Sequence, residues 1–439
     1  MNIVADGDSS PDDLLPHPGG LRASQSTRVR YLVLAWLCVA TAIAYIDRGC
    51  ISVAEKLIRT DLGLSEEAMG VVMSAFFLTY AFFQIPGSWL AQVWGTRRAI
   101  PLFAAVWSLA TALCGFATGS GMLLASRLVM GAAEAGIFPA SIGVIKRWFP
   151  PERRAVVSGV LASFQGVGGA IGAALSGVIL GVLSWRWMFG LYAVPGLVWA
   201  CGFLWWFRDS PRDHRGVNDA ERALIGEPLT TAEEKSRPVL FWVLLKSRAV
   251  LGLAAQQFLR AAGTIFFLSW FPTYLRETRG VGISEAGVLS SLPHWAIVAG
   301  SLTGGWLSDR VLARTKSLRL ARQGVAVTSL LGATVLICLA YPVSNALLAV
   351  LVLSAGAFAA ALAGPSAYAL TIDLGGRNMP QVFAIMNTSG SVGSIVFPIV
   401  APQLVKATGS WEAVLALFAL IHLGAAAAWV SFDADRHTV

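Results

Sequence analysis

The chain reads as an all-α membrane protein, and three observations carry that reading. Of its 439 residues, 56% are hydrophobic and only 13% charged, with a mean hydropathy of +0.65. A soluble domain carries about 25% charged residues. Apolar stretches of about 20 residues, the length that crosses a hydrocarbon layer about 30 Å thick, recur near 31–54, 67–91, 99–118, 121–146, 154–182, 186–207, 247–275, 284–308, 321–341, 345–371, 380–406 and 411–432. The connecting segments alternate in charge: Arg97 and Arg98, Lys146 and Arg147, Arg153 and Arg154, Arg208 to Arg215 and Arg310 to Arg322 share one side, while loops near 119, 184 and 343 are nearly free of Lys and Arg. Twelve transmembrane helices follow, and the positive-inside rule puts both termini in the cytoplasm of what is expected to be a bacterial inner membrane.

Taken in chain order, residues 1–30 are polar, first acidic and then basic, with no apolar core or cleavage site ahead of Tyr31. They read as a disordered cytoplasmic tail rather than a removed signal peptide. Residues 31–207 form six spans, 208–245 a polar cytoplasmic linker, 246–432 six more spans, and 433–439 a second tail. In the linker, Asn218 followed by Glu221 matches a helix-capping box and predicts a short surface helix. The halves echo each other. Ser88-Trp89-Leu90-Ala91-Gln92 ends the second span and Gly305-Trp306-Leu307-Ser308-Asp309 the eighth; Gly166-x-x-Gly169-x-Ile171 in the fifth returns as Gly390-x-x-Gly393-x-Ile395 in the eleventh. Repeats in the same order predict two pseudo-symmetric six-helix bundles with a substrate site between them.

Several function classes are excluded by what the spans lack. Cys38, Cys50, Cys114, Cys201 and Cys338 all lie in apolar stretches without a CxxC pair, so neither a disulfide framework nor a metal site is expected. Five histidines with no HExxH or GxSxG motif give no basis for an enzyme or a cofactor. The excess of Lys and Arg, 33 against 25 acids, sits in short loops and marks topology, not nucleic-acid binding. A nutrient sensor would need a sizeable output domain, for which the linker and tails are too short. The expected partners are the lipid bilayer, protons and a small anionic substrate, for a chain that is monomeric.

Four ionisable residues then stand out inside the first and fourth spans: Asp47, Arg48, Arg127 and Glu134. A charge at a membrane-helix centre costs roughly 2.5–3.5 kcal/mol on insertion scales, against a return of about 0.3–0.6 for each Leu or Val. Such groups persist where they pair or face a polar pathway. Arg127 and Glu134, seven positions apart, project from one helix face about 10 Å apart. This spacing suggests an arginine that holds a substrate carboxylate beside an acid that takes up and releases a proton, the alternative being a structural salt bridge within the bundle. Asp47 and Arg48 are adjacent, so their side chains leave the helix about 100° apart, one to the interior and one to a neighbouring helix. Tyr45, Tyr80, Gln165 and Asn387 are polar positions suited to hydrogen-bonding substrate hydroxyls or to joining helices. Arg260 and His294 are further ionisable residues in the seventh and eighth spans. The first is a candidate second anion contact or a residue near the cytoplasmic edge; the second is a proton relay or, beside Pro293, a ring bonded to a freed carbonyl.

The loop Gly87-Ser88-Trp89-Leu90-Ala91-Gln92-Val93-Trp94-Gly95-Thr96-Arg97-Arg98 resembles a signature of the major facilitator superfamily, with Gln92 where the signature carries an acid. Its second copy, Gly304-Gly305-Trp306-Leu307-Ser308-Asp309-Arg310, keeps acid and base. Tyr45-Ile46-Asp47-Arg48, Arg127-x-x-x-Gly131-x-x-Glu134-Ala135-Gly136, Trp148-Phe149-Pro150-x-Glu152-Arg153 and Trp270-Phe271-Pro272-Thr273-Tyr274-Leu275 resemble the anion:cation symporter family within it. The resemblance runs from about Arg30 to about Phe432. It implies proton-coupled import of a small organic anion, a sugar acid such as a hexonate, hexuronate or aldarate. An aromatic-carboxylate importer and an exporter of an anionic metabolite remain open alternatives. It further implies Asp47 as a second proton site beside Glu134, Arg48 as a carboxylate contact beside Arg127, and Asp309, Arg310 and Arg97 as cytoplasmic gate residues.

Overall fold

The computed structural model describes residues 26–225, 244–375 and 379–434, so most of the N-terminal tail, the centre of the linker and the last five residues lie outside it. Twelve long helical units, called first to twelfth span in chain order, account for most of it. They are Val29–Leu62, Glu66–Trp94, Thr96–Gly115, Ser120–Trp148, Pro151–Leu180, Trp185–Trp206, Arg248–Arg279, Ile283–Thr315, Arg319–Ala340, Ala346–Gly375, Met379–Thr408 and Glu412–Val430. Eleven are long and apolar enough to cross a membrane by composition alone. The eighth, Ile283–Thr315, has the length, 33 residues, but its first half is diluted by Ser290, Ser291 and His294.

Two spans expected to be continuous are broken, each for a reason visible in the backbone. The fourth stops at Ala135 and restarts at Ile137, and the seventh stops at Ser269 and restarts at Phe271. Pro139 and Pro272 lack the N–H that would bond the carbonyl four residues back, so the helix loses a rung just ahead of each. At Gly136 the fourth span also presses on its neighbours: a Cβ there would lie 2.6 Å from the Phe103 ring and 3.0 Å from Gly87 Cα.

Within the amino-terminal half the first span packs on the fifth, the second on the fourth and the third on the sixth; the carboxy-terminal half repeats this with seventh on eleventh, eighth on tenth and ninth on twelfth. The halves meet where the fifth span packs on the eighth and the second on the eleventh. Small residues allow the approach. A Cβ on Gly177 would fall 2.8 Å from Gly287 Cα, and one on Gly70 2.4 Å from the Pro398 carbonyl oxygen.

The linker helix forms as its capping box predicts: Asp219–Ile225 starts with the Glu221 N–H donating to Asn218 Oδ1 at 2.9 Å. The Glu221 carboxylate, fully buried, turns the other way, accepting from the backbone N–H groups of Val29 (3.1 Å) and Arg30 (3.2 Å) and from the Arg30 guanidinium at 3.0 Å. It thereby caps the first span from another element, satisfying donors that a helix start leaves free.

Candidate functional site

The four charges of the first and fourth spans come together inside the amino-terminal half, with partners other than sequence spacing suggests. Arg48, not Arg127, pairs with Glu134: its Nη2 donates to Glu134 Oε2 at 2.7 Å and its Nε reaches the same oxygen at 3.3 Å. Both residues are almost sealed, 7% and 2% exposed. The guanidinium lies over three rings, with its carbon 4.2 Å from the Tyr45 centroid, 4.6 Å from Phe76 and 4.7 Å from Tyr80. An aromatic face stabilises a desolvated guanidinium by about 2 kcal/mol, so the cage holds Arg48 where its one ionic partner among the described residues is a single carboxylate oxygen. Glu134 Oε1 is buried without a hydrogen-bond partner.

Arg127 sits deeper, 1% exposed. Its Nη1 donates to the Met130 sulfur at 3.3 Å, its Nη2 reaches the Arg48 carbonyl at 3.5 Å, and its carbon lies 4.8 Å from the Phe76 centroid. Asp47 turns toward the third span, as adjacency to Arg48 requires, and Oδ2 accepts from the Trp107 indole N–H at 3.0 Å while Oδ1 is buried and unpartnered. Trp107 is fully buried and holds an interior carboxylate.

The secondary candidates form the rim. The Tyr45 hydroxyl donates to Gln165 Oε1 at 3.0 Å, joining first and fifth spans beneath the Arg48 cage. Asn387 reaches across the halves, donating from Nδ2 to Gln84 Oε1 at 3.1 Å. Gln84 lies one turn beyond Tyr80, so this bond ties the eleventh span to the helix that carries the cage. Arg260 donates from Nη2 to Gln257 Oε1 at 2.8 Å, and its Nε is buried without a partner. His294 Nδ1 lies 2.9 Å from the Ser290 carbonyl, not the Leu289 carbonyl that Pro293 leaves without its helical donor, and the ring packs where a Cβ on Gly169 would fall.

At the Arg-rich end the expected gate pair is different. Asp309 pairs with Arg322, 2.8 Å away, and Arg322 also donates to Ser308; Arg310 instead lays its guanidinium 5.1 Å from the Trp306 ring centroid. In the other half, where Gln92 replaces the acid, Asp209 from the end of the sixth span receives the Arg97 backbone N–H at 3.0 Å and approaches Arg147 at 3.7 Å, while the Arg97 side chain bonds the Leu204 carbonyl. At the opposite end the ion pairs cross between halves. Arg59 joins Glu55 (2.8 Å), Glu66 (2.8 Å) and Glu277 (3.2 Å), the Thr273 hydroxyl donates to buried Glu55 at 2.7 Å, and Lys406 meets Glu67 at 2.6 Å. Sequence reading missed this cluster because its members lie at span ends, where charges are ordinarily solvated.

Comparison with known proteins agrees with the fold. The profile of the Major Facilitator Superfamily matches residues 37–321 and 284–438. The chain is 33% identical to the probable sulfoacetate transporter SauU of Cupriavidus necator, over 88% of this chain and 90% of that one. It is 32% identical to the probable galactarate/D-glucarate transporter GudP of Bacillus subtilis, over 90% and 89%, and 31% identical to the D-galactonate transporter of Escherichia coli, over 92% and 96%. Among solved structures, a bacterial homolog of the human lysosomal transporter Spinster, inward-facing and occupied, superposes with a TM-score of 0.71 over 92% of this chain and 94% of that one, at 19% identity.

Proposed function

Given that the chain belongs to the major facilitator superfamily and is a multi-pass membrane transporter, we propose that it imports a small organic anion of the sugar-acid class, coupled to protons, by alternating access. The bundles of residues 31–207 and 246–432 are the two rocking bodies, in a monomer of the bacterial inner membrane with both termini cytoplasmic. Relatives named for galactarate, D-glucarate and D-galactonate support the substrate class.

One observation carries the coupling: the buried, caged Arg48–Glu134 pair. A guanidinium presents parallel donors that match a carboxylate fork, and Arg48 spends its best two on one oxygen of Glu134. A substrate carboxylate arriving at Arg48 competes for them. Once displaced, Glu134 is a buried carboxylate without its counter-ion, which is expensive unless it takes a proton. Anion binding and proton binding thus favour each other, and the linkage is reciprocal. Asp47 Oδ1 offers a place for a second proton, and Arg127 holds the centre of the cluster rather than touching substrate. Tyr45, Tyr80, Gln165 and Asn387 supply hydroxyl contacts from the rim.

The Glu55–Arg59–Glu277 cluster closes the outer end in this state, and Asp309–Arg322 with Asp209–Arg147 are the pairs remade at the cytoplasmic gate. The test is uptake into proteoliposomes under an imposed pH gradient. Accumulation of a hexonate or aldarate that collapses with the gradient is expected; equal accumulation with and without it overturns the coupling.

A further inference from the structure

Two turns beyond Arg48, on the same face of the first span, stands a further buried acid. Arg48 and Glu55 are seven positions apart, so their side chains leave one side of the helix about 10 Å apart. Glu55 is fully buried at the outer end, where the halves meet. Its Oε2 accepts from the Thr273 hydroxyl of the seventh span at 2.7 Å. Its Oε1 lies 2.8 Å from Arg59 Nε, but that N–H is not aligned on it, and the oxygen has no hydrogen-bond partner. Arg59 is divided among three acids: Nε faces Glu55, Nη1 meets Glu66 of the second span at 2.8 Å, and Nη2 meets Glu277 of the seventh at 3.2 Å. Glu277 belongs to the other half and is held there by the Trp411 indole N–H at 2.8 Å. Two more cations face the cluster. Lys56 lies 3.6 Å from Glu277, and half-buried Arg276 stands near Glu55 without an ion pair among the described residues.

When the outer end opens, the first and seventh spans part and Glu55 faces water, where a carboxylate is ionised. Closure carries it to full burial with one aligned donor and a share of one guanidinium. A buried carboxylate so thinly compensated is unfavourable, and a proton removes the penalty. We infer that Glu55 is a proton site of the outer gate, loaded from outside as the gate shuts over it. Burial sets the sign: proton uptake and closure favour each other, so external acid promotes closing and external base opening. A plain ionic latch would do the reverse, because acid would weaken its pair with Arg59. The proton stays at the outer end and returns to the same side when the gate reopens. It governs how readily the loaded carrier closes without joining the count carried across. This rests on the reading of import by alternating access and adds a proton distinct from those assigned to Asp47 and Glu134.

Hydrogen–deuterium exchange on the full-length purified protein tests it. Protection is followed in peptides from the outer ends of the first and seventh spans, corrected for the chemical exchange rate at each pH. The unmodified protein should be more protected at about pH 5.5 than at about pH 7.5, by about 5-fold or more, the usual size of a coupling between two sites. Glu55→Gln holds the neutral form at every pH, so it should stay protected at both. Thr273→Val takes away the one aligned donor and should deepen the response to pH. Loss of protection in Glu55→Gln overturns the inference and makes Glu55 a plain latch. A pH response in Glu55→Gln equal to that of the unmodified protein, or a shallower one in Thr273→Val, overturns it as well. Uptake indifferent to an imposed pH gradient, in a protein whose outer end still closes with acid through Glu55, overturns the coupling reading alone.

Discussion

The two halves of this transporter share a helix order and a glycine motif yet divide their interior chemistry unevenly. The amino-terminal half buries two acids and two arginines at mid-span, of which Arg48 and Glu134 pair while Asp47 accepts from Trp107; the carboxy-terminal half holds a part-buried mid-span arginine bonded to a glutamine. A balanced cluster can lose a proton or gain one and still find partners within itself, which suits a coupling site. An unbalanced cation can only be completed from outside, which suits a binding site.

That contrast can be broken residue by residue. The largest effect is expected for Glu134→Gln: accumulation driven by a pH gradient should fall to the level of passive equilibration, while counterflow exchange persists. Concentrative uptake by this variant would remove Glu134 from coupling. Arg48→Ala should come next, losing anion binding and, by leaving Glu134 buried without its partner, about 3–5 kcal/mol of stability. Combining it with Glu134→Gln should recover much of the thermal stability but none of the binding, a pattern that a simple structural pair would not give. Trp107→Phe removes the indole donor to Asp47 and should lower stability by about 1–3 kcal/mol in thermal unfolding. Gln84→Leu cuts the bond to Asn387 between the halves and should weaken substrate affinity by a few-fold, about 0.5–1.5 kcal/mol, in equilibrium binding. Asp309→Asn is the mildest. Its pair with Arg322 is largely open to solvent on the acid side, 73% exposed, so a change below about 1 kcal/mol in unfolding is expected.

Most of the architecture was legible because hydrocarbon permits few solutions: apolar length gives the spans, loop charge their sense, and repeated motifs the two bundles. The breaks at Gly136 and Trp270 were legible in principle from Pro139 and Pro272, but proline is tolerated inside other spans here, at Pro86, Pro101 and Pro195. The site residues were visible as charges out of place. Their pairing was not. A seven-residue spacing reports neighbours on one helix, and the partner of Glu134 came from another, so Arg48 took the position that spacing reserved for Arg127. Trp107, Gln84 and Gln257 were invisible for the same reason: tryptophan and glutamine are common in membrane helices, and only tertiary contact shows which ones hold an acid, an amide or a guanidinium.

The contact between Gly177 and Gly287 has a consequence for motion. Two helices that touch there backbone to backbone have no interlocking side chains to climb over, so one can tilt against the other without a change of rotamer. The bare patch works as a bearing surface between the fifth and eighth spans. Any side chain placed at either position would act as grit in it, wedging the spans apart and biasing the cycle before a substrate arrives.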